Sequence, residues 1–452
     1  MTELDRNELK PIMTKDKIAV FGQGYVGLPL ALSFAMRGFF VYGVDIDKSL
    51  VQELKNGYTN HLESYQGKSI QTILQEELDS TRYQPTLDCE SSLSDVNNIV
   101  VTVGAPVYNG QVDYEPIKKV SKEIGKNLKK DDLVLFRSTV VPGTTEGIVR
   151  EILERESGFT AGVDFDLAYS SERIAEGKAF HEFSDMPTLV AGVTDKSRIR
   201  SEELLKTLFN DGGKIVSSPS IEAVELSKVF ENLSRDVNIA MVNEFSSICE
   251  QLGLDIHHVI DLANTHHRVN LLRPGPGVGG FCIPNAYYYL LPKAKEVGAS
   301  IEMSATARKI NDNRPLQVVN RIEEKLLEAG KDIENCKIAV LGLAMKDYSS
   351  DHRLSPALEV VRSLQKRTKQ VSCYDPEVKS DVIPGQVNSL HDCVKDAHAL
   401  VFLTRQDEFD NLDYGNIRDQ MVANPHPPFI LDTKGALSRK GITENGMSYV
   451  LM

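Results

Sequence analysis

Apolar positions near the start of the chain fall into short blocks that end on glycine or aspartate. Lys17-Ile18-Ala19-Val20-Phe21 stops at Gly22, and Phe39-Phe40-Val41-Tyr42-Gly43-Val44 stops at Asp45. Such blocks predict strands, and the apolar, alanine-bearing stretch Leu28 to Met36 between them predicts a buried helix. Strand, glycine turn, helix, strand is a βαβ unit. Further strands are predicted at Ile99 to Val103, Leu133 to Phe136, Phe165 to Tyr169 and Thr188 to Val190. Their alternation with helical stretches points to a mostly parallel, doubly wound sheet. The middle of the chain changes character. Ser220 to Gly253 carries one long helical pattern with no proline and no glycine before its end, and helix runs on to Ala263. A loop rich in glycine and proline, Arg273 to Pro284, precedes another helical stretch that reaches Gly330. A second α/β block opens at Cys336-Lys337-Ile338-Ala339-Val340-Leu341-Gly342, with later strands predicted at Gln370 to Tyr374, Ala399 to Leu403 and Phe429 to Leu431.

Length fits this three-part order, since 452 residues exceed one compact core. The net charge of −13, from 64 acidic and 51 basic residues, argues against a general nucleic-acid binder, which needs a cationic surplus to neutralise phosphates. It leaves room for a local basic pocket. Met1 to Lys15 is polar, without the apolar core of a signal peptide, and no apolar run approaches the roughly 18 residues of a membrane span. The six cysteines, Cys89, Cys249, Cys282, Cys336, Cys373 and Cys393, form no CxxC pair. Neither a zinc cluster nor a disulfide framework is expected, and cytoplasm is the expected compartment.

Candidate chemistry begins at Gly22-Gln23-Gly24-Tyr25-Val26-Gly27, a GxGxxG directly after the first strand. Glycines let the backbone approach a pyrophosphate, and the following helix N-terminus offers oriented N–H donors to the anion. Asp45, about 20 residues on at the end of the second strand, can accept both ribose hydroxyls of NAD and repels the 2′-phosphate of NADP. Asp47 is the nearby competitor and is expected to face solvent. The bland alternative is a structural glycine turn. The predicted fold class is therefore α/β, with two Rossmann-like doubly wound domains (residues 1–212, binding NAD, and residues 326–452) joined by a central helical domain (residues 213–325) with a long helix. A second glycine-dense stretch, Gly275-Pro276-Gly277-Val278-Gly279-Gly280-Phe281-Cys282-Ile283-Pro284, places a thiol at the end of a loop suited to close approach of a ligand. A thiolate there can be a nucleophile, yet free cysteines are usually inert small hydrophobes, so both readings stand. The other five cysteines are read as core. Lys228 and Asn232 lie at i and i+4 of the long helix, on one face, where they could stabilise an oxyanion; the plainer reading is a solvated surface lysine.

Taken in order, these motifs resemble the nucleotide-sugar 6-dehydrogenases, the family of UDP-glucose, GDP-mannose and UDP-N-acetylhexosamine dehydrogenases. The resemblance runs from about residue 15 to 440 and includes Ser138-Thr139-Val140-Val141-Pro142-Gly143-Thr144-Thr145 and Ser171-Glu172-Arg173-Ile174-Ala175-Glu176-Gly177. It continues through Lys228-Val229-Phe230-Glu231-Asn232, the loop with Cys282, Gly342-Leu343-Ala344-Met345-Lys346, and Arg353 with Ser355-Pro356-Ala357-Leu358. It implies oxidation of the sugar's C6 alcohol to a carboxylate with two NAD consumed. Cys282 would attack the intermediate aldehyde, giving a thiohemiacetal and then a thioester that water releases. Lys228 and Asn232 match the oxyanion-stabilising pair, Glu172 the general base of hydrolysis, and Thr139 a water-positioning hydroxyl that also lies at the cofactor. Gly22, Gly24, Tyr25, Val26, Gly27 and Asp45 match the cofactor site. Lys346 and Arg353 match residues that hold the nucleotide sugar, with Gly279, Glu172, Arg173, Lys228 and Asn232 also at the substrate. Arg268 resembles an arginine that reaches a neighbouring subunit's substrate, in a homodimer built on the central helices. Arg173 after the glutamate, with His266-His267-Arg268-Val269-Asn270, looks like the N-acetylhexosamine branch, with UDP-N-acetylmannosamine or UDP-N-acetylglucosamine as substrate.

The chain departs from the family pattern at several points. Phe281 stands where a histidine is usual, and Ala286 stands where an aspartate works beside the lysine to activate water. Ser171 replaces a proline, and Asp347-Tyr348 replaces proline and an acidic residue. Three readings follow: a working 6-dehydrogenase in which the Asn285 amide or a displaced carboxylate compensates, an epimerase or isomerase that oxidises transiently with held NAD, and a nucleotide-sugar-binding protein with impaired catalysis. A 3-hydroxyacid dehydrogenase shares the general plan but explains neither Cys282 nor the second α/β domain.

Overall fold

The computed structural model describes residues 16–174, 177–209, 213–378, 381–422 and 427–452. Met1 to Lys15, and Ala175 and Glu176 of the Glu172 motif, lie outside them. The chain forms two compact units, one of residues up to Phe230 with Tyr288–Ala299, the other of Glu231–Tyr287 with Ser300–Met452.

In the first unit, β1 (Lys17–Phe21), β2 (Phe40–Val44), β3 (Tyr83–Thr86), β4 (Asn98–Val101), β5 (Leu133–Phe136), β6 (Asp166–Ser170), β7 (Thr188–Gly192) and β8 (Ile215–Ser217) form one sheet, ordered β8-β7-β6-β5-β4-β1-β2-β3. All neighbours run parallel except β6 and β7. Helix α1 (Gly27–Met36) is buried from Gly27 to Ala35 because its sequence is apolar on every side. Leu28, Leu30 and Phe34 of α1 join Ile18, Val20, Phe39 and Val41 in one core. Each such side chain contributes roughly 1.5–3 kcal/mol of burial free energy. The register fixes the working edge. Phe21 pairs with Val101, Val101 with Phe136, and Phe136 with Tyr169, so Gly22, Thr102, Arg137 and Ser170 leave the same carboxyl end of the sheet.

Helix α2 (Ile221–Leu252) starts in the first unit and ends in the second. It stops at Gly253, whose φ of 68° is the left-handed turn that glycine adopts freely, with Leu254 N donating to Cys249 O at 2.8 Å. Then follow α3 (Ile256–Asn264), α4 (Ile283–Glu296) and α5 (Glu302–Glu328). The second sheet comprises β9 (Ile338–Leu341), β10 (Val371–Tyr374), β11 (Ala399–Phe402), β12 (Phe429–Asp432) and β13 (Ser448–Leu451), all parallel in the order β10-β9-β11-β12-β13. Its two faces are buried separately. Ile338 and Val340 face a core with Val318 and Ile322 of α5 and Val361 of α6 (Pro356–Leu364), while Ala339 and Leu341 face one with Ile417 and Ile442. Alternate residues of one strand thus serve two cores, as a doubly wound sheet requires. The doubly wound α/β architecture and long helix accord with the sequence; strands β3, β8 and β13 were not expected from it. No described helix is long and apolar enough to cross a membrane.

Candidate active site

Glycine at Gly22 is required by its φ of 87°, and Gly22 N donates to Val44 O at 2.8 Å, tying the turn to β2. A Cβ on Gly27 would stand 1.7 Å from Gly22 O, so the third glycine lets α1 pack onto the turn. A Cβ on Gly24 would meet nothing within 4 Å, leaving open space just before the positive end of the α1 dipole. Asp45 is half-buried; its Oδ2 accepts from Gln23 N at 2.6 Å and its Oδ1 from Asp47 N at 3.0 Å. Asp47, by contrast, is exposed and caps the next helix through Ser49 N and Leu50 N. Gln23 is fully buried, with Nε2 donating to Val20 O and Oε1 accepting from the Tyr83 hydroxyl, each at 2.8 Å. Val26 directly precedes α1, and the Tyr25 ring lies 4.9 Å from His61. Open space over a helix start, with a carboxylate 21 residues beyond Gly24 and held at the adjacent strand end, fits a dinucleotide.

Thr139 and Glu172 lie beyond the same carboxyl edge, after β5 and β6. Thr139 is half-buried in the loop that runs to Thr145. That loop is held by Glu225 of α2, whose carboxylate accepts from Gly143 N at 2.6 Å and Thr145 N at 3.0 Å. Burial pushes the Glu225 carboxyl up to about 7, against the pull of those N–H donors. Glu172 is buried and engaged on both oxygens. Its Oε1 accepts from the backbone N–H of Arg173 (2.6 Å) and Ile174 (2.9 Å), and its Oε2 from Arg137 Nη2 at 2.9 Å. The half-buried Arg173 donates through Nη1 to Pro187 O at 2.9 Å. One helical turn after Glu225 comes Lys228, buried at 9% exposure rather than solvated, so the plain surface reading does not hold. Asn232, one turn further, is 3% exposed with an Nδ2 that meets no partner among the described residues. Sequence reasoning missed Arg137 and Glu225. The available signals were a charged residue abutting the Ser138-Thr139 motif and a carboxylate three positions before the lysine.

In the second unit the glycine loop packs on the motif that follows β9. A Cβ on Gly279 would come within 2.6 Å of Pro356 Cδ and 2.7 Å of Leu354 O, and one on Gly280 within 2.6 Å of Met345 Sδ. Only glycine permits that approach. Cys282 is exposed and directly precedes Ile283, the first residue of α4. Cys249, Cys336, Cys373 and Cys393 are buried as expected, but Cys89 is half-buried rather than core. The Phe281 ring lies 5.2 Å from the Arg353 guanidinium, and Asp351 grips that guanidinium at Nε (2.9 Å) and Nη2 (2.6 Å). Lys346 is half-buried. Asp347, at a position of departure, accepts from Arg405 N at 3.0 Å and pairs with Lys434 at 3.0 Å. Ala286 is fully buried, and its neighbour Asn285 is 5% exposed with Nδ2 unpartnered among the described residues. Arg268 is exposed on the turn after α3. Among the described residues no group of His, Cys, Asp and Glu is placed to hold a metal ion.

A doubly wound sheet with a glycine turn and ribose-type acid, followed by an exposed thiol on a glycine loop, defines an α/β dinucleotide-binding protein with a candidate nucleophile. Comparison with known proteins narrows this. Residues 16–211 match the NAD binding domain of the UDP-glucose/GDP-mannose dehydrogenase family, residues 222–313 its central domain, and residues 339–439 its UDP binding domain. A UDP-N-acetyl-D-mannosamine dehydrogenase of Pyrococcus horikoshii is 35% identical over 90% of this chain and 93% of its own length. A UDP-N-acetyl-D-glucosamine 6-dehydrogenase of Salmonella typhi is 32% identical over 89% and 92%. The solved structure of a UDP-D-ManNAc dehydrogenase from Pyrococcus horikoshii superposes with a TM-score of 0.88 at 32% identity, covering 96% of this chain and 98% of that one. The chain belongs to the UDP-glucose/GDP-mannose dehydrogenase family.

Proposed function

We propose that the chain oxidises the C6 hydroxyl of a UDP-N-acetylhexosamine to the carboxylate, consuming two NAD per sugar. The observation that carries this reading is Cys282, the exposed thiol of the six, at the start of α4 on a glycine loop, in a chain whose first unit holds a complete dinucleotide turn. The relatives named above are dehydrogenases of UDP-N-acetylhexosamines, which favours net oxidation over transient oxidation by an isomerase and over mere binding.

The roles follow the family pattern. Gly22, Gly24, Tyr25, Val26, Gly27, Asp45 and Thr139 hold NAD, which when bound accepts a hydride in each oxidation. Lys228 and Asn232 stabilise the oxyanion that develops at C6, where a buried cation and an unpartnered amide N–H act more strongly than in water. Cys282 adds to the aldehyde carbon, forming a C–S bond while the carbonyl oxygen gains a proton. The later thioester is opened by water: a C–O bond forms, the C–S bond breaks, the thiolate leaves, and Glu172 receives the water's proton. Lys346, Arg353, Gly279 and Arg173 bind the nucleotide sugar, and Arg268 reaches the substrate of a second subunit in a homodimer. Three domains, residues 1–212, 213–325 and 326–452, divide cofactor binding, dimer formation and UDP binding. Cytoplasm is the proposed compartment.

Purified protein mixed with NAD and a panel of UDP-sugars tests the reading by the NADH formed per sugar. Two NADH and an acid product are expected with a UDP-N-acetylhexosamine. One NADH means arrest at the aldehyde; none, with an isomerised sugar, means transient oxidation. Cys282→Ser is expected to abolish acid formation, and undiminished acid from that variant excludes the covalent route.

A further inference from the structure

Arg137 presents a planar fork whose Nη2–H and Nε–H point the same way. Nη2 donates to Glu172 Oε2 at 2.9 Å, while Nε, fully buried beside it, meets no partner among the described residues. The Ser171 hydroxyl is likewise buried and unpartnered there. Arg137, Ser171 and Glu172 are 3%, 2% and 7% exposed, and together with Arg173 and Thr188 they line a cavity of about 10 Å³. That is the scale of space one water needs, roughly 10–15 Å³, and a buried water is stable where two to four polar groups meet it. Two idle polar atoms and a carboxylate satisfy that condition. The carboxylate itself has one acceptor direction left: Oε1 already takes two N–H bonds, and Oε2 takes one.

We propose that Arg137 Nε–H and Ser171 Oγ hold a water molecule against Oε2 of Glu172, making Arg137 and Ser171 positioning residues for the hydrolytic step. This rests on the dehydrogenase reading above. In that step the held water's oxygen bonds to the thioester carbon as its proton passes to Oε2; the C–S bond breaks and the Cys282 thiolate departs. Ser171 is a position of departure from the family, where the usual proline offers no hydroxyl. The chain thereby gains water-holding groups around its glutamate while lacking the aspartate at Ala286.

Ser171→Ala removes the hydroxyl and leaves the ion pair intact; Arg137→Lys keeps the positive charge and removes the fork. Each is followed by stopped-flow NADH formation, quench measurement of acid in a single turnover, and intact-protein mass of the Cys282 adduct. Acid release is expected to slow roughly tenfold or more as a buried hydrogen-bond partner is lost, with both NADH-forming phases and NAD affinity retained and the acyl adduct accumulating. Unchanged acid release in both variants overturns the water site. So does a parallel fall of NADH phases, NAD affinity and acid release, which marks a merely structural role. Wild-type protein that makes no acid overturns the underlying reading instead.

Discussion

Glu225 shows how a single side chain binds site geometry to pH. It is 1% exposed and accepts two backbone N–H groups of the loop that carries Thr139, one turn before Lys228 on α2. Its carboxyl is raised from 4.5 to about 7 by desolvation, so the native state holds the proton more tightly than the unfolded chain. Stability from this group is therefore complete below pH 4.5 and is lost as pH rises through about 7. The loss is on the order of 3 kcal/mol, at about 1.4 kcal/mol for every tenfold difference in proton affinity between the folded and unfolded chain. Glu225→Gln cannot titrate. The difference in unfolding free energy between wild type and this variant, measured by denaturant from pH 4.5 to 8, is expected to shrink by that order as pH rises; a flat difference excludes the buried carboxyl as its source. The variant also sets an amide NH₂ against one of the two loop N–H donors, so it is expected to be the less stable protein at low pH.

At the scale of elements, two glycine turns built alike serve different ends. Gly22 (φ 87°) follows β1 and Gly342 (φ 88°) follows β9, each donating its N–H to the end of the neighbouring strand, Val44 O and Tyr374 O. The acids that follow those strands differ. Asp45 is half-buried and takes one backbone N–H on each oxygen, whereas Asp375 is 4% exposed and taken up by N–H groups of Leu343, Ala344, Glu377 and Val378 and by Gln406 Nε2. The second turn is instead met by the glycine loop, and Phe281 turns its ring to Arg353 at 5.2 Å. Phe281→Ala is expected to raise KM for the UDP-sugar roughly three- to thirtyfold, the range of one cation–π contact, with a smaller effect on kcat. An unaltered KM excludes the ring as the support of Arg353. Most elements were legible because their apolar runs were continuous and central. The strands missed in the two large sheets, β3, β8 and β13, all lie at sheet edges. Tyr83-Gln84-Pro85-Thr86 alternates buried and exposed positions and includes a proline, and Ile215-Val216-Ser217 has no buried residue, so neither carries a long apolar signal. In the site, Cys282 and the dinucleotide turn were visible as local motifs. The Arg137–Glu172 pair was not, because its partners are 35 residues apart and meet only through the register of β5 and β6.

At the scale of the whole molecule, the feature that points to assembly is an exposed apolar stripe on α2. Phe245, Ile248 and Leu252 recur at heptad-like spacing on it and are 39%, 56% and 66% exposed, a large apolar stripe for a helix otherwise packed on one side. A second copy of the chain is the occupant that the proposed homodimer requires, and a two-fold interface matches an identical stripe to itself. Arg268, exposed after α3, then serves the other subunit's substrate while Cys282 serves its own. This division can be tested without knowing the interface in detail. Arg268→Ala and Cys282→Ser chains carrying different affinity tags are co-expressed, and hybrids are isolated by sequential purification. If Arg268 works across the dimer, each hybrid has one site with neither substitution and one with both, so activity of about half the wild-type value is expected from two nearly inactive parents. Were Arg268 to act within its own chain, every site in the hybrid would lack either the arginine or the thiol, and the hybrid would be as inactive as its parents. A hybrid that cannot be isolated at all, with wild-type protein running as a monomer in light scattering, removes the dimer and with it the assignment of Arg268.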